Sequence, residues 1–151
     1  MTNRIAPFAT LFGIGRVPLA PGTAASFAAL IVAVPIHYLF GSYVLFALAI
    51  ATALFGIWVS GIYERETGRH DPQDCVIDEA AGQWLACAFA PLSPAGYVLA
   101  FLLFRLFDVA KPWPISKAEQ LEGGTGIVAD DMLAGLIAGV VVYLFSFSGF
   151  L

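Results

Sequence analysis

AAGQWLACAFAPLSPAGYVLAFLLFRLF, residues 80–107, is an apolar stretch split at its centre by Pro91-Leu92-Ser93-Pro94. How that break is read decides the topology of the chain. The arms on either side, Ala80 to Ala90 and Ala95 to Phe107, are each roughly 16 to 20 Å long at 1.5 Å per residue, short of the roughly 30 Å hydrocarbon core of a bilayer. Proline ends one helix and opens another. The segment therefore reads as a tilted or re-entrant helical hairpin and not as one bent span, and its two ends return to the same face of a membrane.

The rest of the chain supports a membrane setting. It is 60% hydrophobic and only 12% charged, against roughly 25% charged in soluble domains. Its seven basic and eleven acidic side chains fall in three stretches, Arg4 to Arg16, Glu64 to Glu79 and Arg105 to Asp131. A charge at the bilayer centre costs roughly 2.5 to 3.5 kcal/mol, so the uncharged runs between them are the parts that tolerate lipid. Three runs approach the roughly 20 residues of a span: Ala24 to Phe40 and Tyr43 to Ile62, joined by Gly41-Ser42, and Met132 to Phe150. The expected fold is all-α, a compact polytopic membrane helical bundle with a Pro-broken hairpin in its middle, residues 1–151 forming a single domain. The alternative, a soluble helical protein that buries these faces in an oligomer, would be recognised by extraction without detergent.

The hairpin places all three charged stretches on one face with the N-terminus. Gly41-Ser42, Pro91 to Pro94 and the C-terminal tail, all uncharged, are left on the other. The positive-inside rule makes the charged face cytoplasmic. A net charge of −4 disfavours nucleic acid as a partner and favours cations. Only Arg4 precedes the first apolar patch, which Pro7, Gly13 and Pro18 interrupt, a poor signal peptide. Gly135 with Gly139 and Gly56 with Ser60 permit close helix packing, within the chain or between copies.

The carboxylates carry the chemistry. Asp78-Glu79 opens the hairpin, Arg105-Leu106-Phe107-Asp108 closes it, and Asp130-Asp131 is expected to open the last span. Two like charges 4 Å apart repel by roughly 4 kcal/mol at an effective dielectric of 20, so acids converging at helix ends need a cation. Oxygen ligands select a hard ion, Mg²⁺ first and Mn²⁺ second. Helix capping competes as an explanation for Asp78, Glu79, Asp130 and Asp131. It does not for Asp108, at a helix C-terminus where an anion is disfavoured. Pro21-Gly22-Thr23, with Thr23 as expected N-cap and Ser26 three residues on, forms a helix start able to hold an anion, and Arg16, Arg105 and Lys111 add positive charge. Asp71, in the polar stretch before Asp78-Glu79, is a weaker addition to the acids.

Chemistries built on a cysteine or histidine nucleophile lack their residues. The cysteine type needs Arg six positions after its nucleophile, whereas Ala81 and Ser93 stand there after Cys75 and Cys87. His37 and His70 are far apart, which disfavours zinc and a histidine nucleophile. A divalent-cation transporter or channel is the alternative function class.

Gly15-Arg16-Val17-Pro18-Leu19-Ala20-Pro21-Gly22-Thr23 with Ser26, Ile77-Asp78-Glu79 with Gly82, Phe104 to Asp108 with Lys111-Pro112-Trp113-Pro114, and Asp130-Asp131 with Ala134-Gly135 together resemble the phosphatidylglycerophosphatase A family. The resemblance covers nearly the whole chain in family order; Ala25 and Val128-Ala129 depart from its usual residues. It implies a Mg²⁺-dependent phosphomonoesterase of the bacterial inner membrane, acting on a membrane phospholipid, phosphatidylglycerophosphate. Carried onto this sequence, Glu79, Asp108 and Asp131 become the expected metal ligands. Asp78 and Asp130 become further ligands or water-orienting bases, Arg105 and Lys111 phosphate clamps, and Arg16, Thr23 and Ser26 substrate-phosphate contacts.

Overall fold

The computed structural model of the protein describes residues 4–151. These form α1 (Ala6–Ala9), a 3-10 turn (Ile14–Arg16), α2 (Pro21–Phe40), α3 (Ser42–Thr67), α4 (Ile77–Phe89), α5 (Pro94–Ala110), α6 (Ile115–Ala118) and α7 (Gly123–Ser146). The chain is an all-helical bundle, and α2, α3 and α7 are long and apolar enough to cross a membrane.

The Pro-bounded break is the turn of a helical hairpin. Ala90 leaves α4 in an extended conformation, and the Ser93 hydroxyl caps α5 by accepting the Gly96 N–H at 3.0 Å. Pro94 occupies the first turn, where a missing N–H costs nothing. Its two arms have different surroundings. Nine of the thirteen α4 residues are buried, making α4 the central helix, whereas α5 turns Val98, Leu102, Leu106 and Val109 outward, each more than half exposed. An apolar stripe facing out is what lipid requires and water does not.

Small residues set how closely α4 and α7 approach. A Cβ on Gly82 would lie 2.6 Å from the Asp131 carbonyl oxygen, and one on Gly135 would collide with the Gly82 carbonyl. Gly139 rests against the Phe89 ring, and Gly56 against Val128 and Ile77. These glycine faces are used inside the chain, to bring backbones into contact where side chains would keep helices apart.

Both turns and the end of α7 share one end of the bundle. There Ser42, Pro91, Leu92, Tyr143 and Ser146 line a common cavity with His37. The starts of α4 and α2 and the end of α5 lie together at the opposite end, as the hairpin reading requires.

Several boundaries differ from the hydropathy reading; α4 begins at Ile77, ahead of Ala80, and α7 ends at Ser146, short of Phe150. α3 continues to Thr67, because Glu64, Arg65 and Glu66 are good helix formers and Gly68, left-handed at φ 65°, closes the helix with its N–H on Glu64 O. α2 starts at Pro21 with Ala20 as its N-cap, so Thr23 is inside the first turn and caps nothing. α5 runs to Ala110, placing Asp108 within its last turn. α7 starts at Gly123, nine residues before the apolar run, so Asp130 and Asp131 lie inside the helix and do not open it. Gly123, Gly124 and Gly126 have low helix propensity, but a Cβ on Gly124 would collide with the Ile57 carbonyl and lie 2.7 Å from the Gly61 amide. Contact with α3 outweighs propensity there.

Candidate active site

Three helices deliver polar groups to a cavity of about 440 Å³ at the charged end of the bundle, and a fourth walls it. The start of α4 brings Asp78 and Glu79, the end of α5 brings Arg105 and Asp108, the second and third turns of α7 bring Asp130 and Asp131, and Lys111 follows α5 directly. Gly22 of α2 closes the wall. A Cβ on Gly22 would collide with Glu79 Oε1 and stand 3.3 Å from Arg105 Nη1, so the absence of a side chain makes room for both.

Capping does not account for the acids. The N-cap of α4 is Val76 and that of α7 is Glu122, neither with a side-chain cap bond. Asp78 is 6% exposed, Asp130 4% and Asp131 3%. Asp78 Oδ1, Glu79 Oε2 and Asp131 Oδ2 are buried with no hydrogen-bond partner. A buried carboxylate without a partner is costly, and three beside one another mark a place for a cation.

The oxygens form two triads, Asp78-Glu79-Asp131 and Asp108-Asp130-Asp131, in each of which one atom per residue lies within 4.8 Å of the others. Asp131 belongs to both. Each adjacent pair, Asp78-Glu79 and Asp130-Asp131, enters a triad whole, although neighbours on a helix diverge by about 100°; burial among four helices supplies walls on both sides. All-oxygen triads of this kind can bind a metal ion, and a hard one fits.

Two cations face the second triad. Arg105 Nη1 donates to Asp108 Oδ2 one turn along α5, while its Nε is buried without a partner. Lys111 Nζ donates to Asp130 Oδ2 at 2.7 Å and to Glu119 Oε1 at 2.6 Å. Lys111 is the left-handed C-cap of α5, with φ 45° and its N–H on Phe107 O. Burial acts to lower its pKa, but the Asp130 and Glu119 carboxylates outweigh that and raise it above the ordinary lysine range. The ammonium stays charged. Cys75 also lines the cavity, and burial pushes its thiol up to about 11. It is no nucleophile at neutral pH.

Not every expected residue reaches the cavity. Arg16 is exposed, and neither it, Thr23 nor Ser26 is among the lining residues. Ser26 is buried and donates to the Gly22 carbonyl at 2.8 Å. Asp71 does line it. The residues not anticipated are Gly22 as the seat of Glu79, and Glu119, eight positions from Lys111 across two prolines, a separation with no periodic signal. The histidines lie elsewhere: His37 pairs with the Tyr97 hydroxyl at 2.7 Å and His70 with Glu64.

Fold and site define a helical membrane protein with a carboxylate-lined, metal-competent cavity at one end of its bundle. The sequence model of the phosphatidylglycerophosphatase A family matches residues 7–146. A phosphatidylglycerophosphatase A of Haemophilus influenzae is 37% identical over 145 residues, 95% of this chain and 89% of that protein. The Escherichia coli protein of the same name is 34% identical over 148 residues, 95% of this chain and 84% of its own. A Bacteroides thetaiotaomicron protein, named provisionally as a phosphatidylinositol-3-phosphatase, is 35% identical over 140 residues, 88% of this chain and 87% of its own. No solved structure gives a significant match. The chain belongs to the phosphatidylglycerophosphatase A family and is a phosphoric monoester hydrolase acting on a lipid phosphate.

Proposed function

We propose that the chain, as a single membrane-embedded domain, hydrolyses phosphatidylglycerophosphate to phosphatidylglycerol and inorganic phosphate with Mg²⁺ at its carboxylates, from the cytoplasmic face of a bacterial inner membrane. The observation that carries the metal assignment is the set of three buried, unpartnered oxygens on Asp78, Glu79 and Asp131. Glu79, Asp108 and Asp131 are the expected metal ligands in this reading, Glu79 in the first triad, Asp108 in the second and Asp131 in both. The chemistry an ion held by these residues would supply is stabilisation of negative charge on the transferring phosphoryl group.

The protein's own groups do the rest. Arg105, whose Nε is unengaged, and Lys111 bind non-bridging phosphate oxygens and orient the ester for in-line attack. Asp78, the third carboxylate of the first triad, orients the attacking water beside the ion and accepts its proton. Asp130 holds the Lys111 ammonium in place. The depth of the carboxylates keeps bulk water from screening these charges.

Phosphate release from the lipid monoester in detergent, with and without Mg²⁺, for the wild type and Asp108→Asn, tests the assignment. Turnover is expected to vanish on chelation, return with Mg²⁺, and be lost in the variant; unchanged rates in Asp108→Asn would refute the site. A phosphoinositide monoester belongs in the same assay, because the Bacteroides relative carries that name.

One observation keeps a cation-transport reading in view: Asp130 and Asp131 are the eighth and ninth residues of a spanning helix, and intramembrane acids often line ion paths. Against it, the α4 and α7 backbones touch at Gly82 and Gly135, directly below the acids. Mn²⁺ uptake into proteoliposomes carrying the chain should not exceed that of empty ones.

A further inference from the structure

The two triads share Asp131 but are electrostatically unlike. In the first, Asp78 Oδ1, Glu79 Oε2 and Asp131 Oδ2 are buried and unpartnered. In the second, Arg105 holds Asp108 and Lys111 holds Asp130. No cation is hydrogen-bonded to the first triad, although Arg105 stands near Glu79 across Gly22, whereas two are hydrogen-bonded to the second.

Neither cation is committed wholly to its triad carboxylate. The Arg105 guanidinium bonds Asp108 through Nη1 and keeps its buried Nε unengaged, so most of its five donors are free of Asp108. Lys111 lies between Asp130, which is buried, and Glu119, which is exposed. Its flexible four-carbon stem allows it to release Asp130 and keep Glu119, a second resting place at the cavity rim.

We infer that Arg105 and Lys111 are stand-in cations: the first triad takes a divalent ion unaided, whereas Asp108 and Asp130 take a second ion only by giving up these side chains, which are thereby released to the phosphate. The inference rests on the metal-dependent reading above and adds an order of loading to it. Lys111 and an incoming ion compete for the same Asp130 oxygens. Removing Lys111 must then strengthen the second ion while harming catalysis, an outcome that a merely structural role for Lys111 would not produce.

Mn²⁺ is the probe, titrated into the full-length protein in detergent and followed by electron paramagnetic resonance of the free ion. The wild type should bind one Mn²⁺ tightly and a second at least about tenfold more weakly. Lys111→Met should tighten the second about tenfold and lower kcat; Asp108→Asn should lose the second and keep the first; Glu119→Gln, which touches no triad carboxylate, should weaken the second several-fold by removing the alternative seat of Lys111. Two equivalent ions, or a second ion weakened or unmoved in Lys111→Met, would overturn the inference. If Lys111→Met does not fold, as judged by its melting curve, Glu119→Gln decides alone: an unmoved second ion in it overturns the inference. A single bound ion insensitive to all three substitutions overturns the order of loading and leaves the metal reading standing. No Mn²⁺ binding at all overturns both.

Discussion

Asp131 contributes to both triads and is 3% exposed, so no neighbour can replace it. Asp131→Asn keeps the shape and removes the charge; turnover is expected to fall about 10³-fold, by analogy with the loss of one preorganised electrostatic group, as measured by phosphate release at saturating Mg²⁺. Gly22→Ala tests the opposite wall. Its methyl would displace Glu79 and press on Arg105, so a loss of about 10-fold or more in kcat/KM is expected with the fold intact by circular dichroism. The acids were legible in the sequence, because an ionised group beside lipid is too costly to be incidental. Thr23 and Ser26 were placed on the phosphate for want of the helix start. Once Ala20 is the cap, Thr23 moves three residues into α2 and Ser26 turns to the Gly22 carbonyl.

Among the elements, the hairpin was readable because prolines leave few options for the backbone around them. The start of α7 was not, since the glycines that hide it from a propensity reading are required by the approach to α3. Two variants separate turn from crossing. Ser93→Ala removes the α5 cap, at the end of the bundle away from the acids; it should cost about 1 kcal/mol, lowering Tm by a few degrees with turnover unchanged. Gly82→Ala places a methyl against the Asp131 carbonyl and the Phe104 ring. Overpacking of that kind costs about 1 to 3 kcal/mol, and because it separates α4 from α7 it should lower both Tm and turnover.

At the scale of the molecule, the bundle has a charged end and an uncharged end. Cysteines introduced at Gln73 and Lys117, both exposed near the charged end, should react with a membrane-impermeant maleimide from one side of the bilayer, and one introduced at Leu92 from the other. The native Cys75 and Cys87 are buried and give a low background. Labelling of all three positions from the same side would contradict the topology. This two-ended arrangement followed from charge placement and parity, quantities that a sequence states directly. The pairing of particular side chains across the cavity depends on helix rotation, which it does not.

The hairpin also bears on how the protein is made. In the proposed topology its arms enter and leave by the same face, and the segments that reach the far side are the Gly41-Ser42 corner, the Ala90 to Ser93 turn and the stretch after Ser146, whose side chains carry no charge. With the charged end cytoplasmic, as proposed, Asp78, Glu79 and Asp108, and the arginine and lysine that accompany them, stay on the side where the ribosome delivers them. In that topology no charged side chain has to pass through the hydrocarbon, and the site is assembled by helices closing around acids at the aqueous margin.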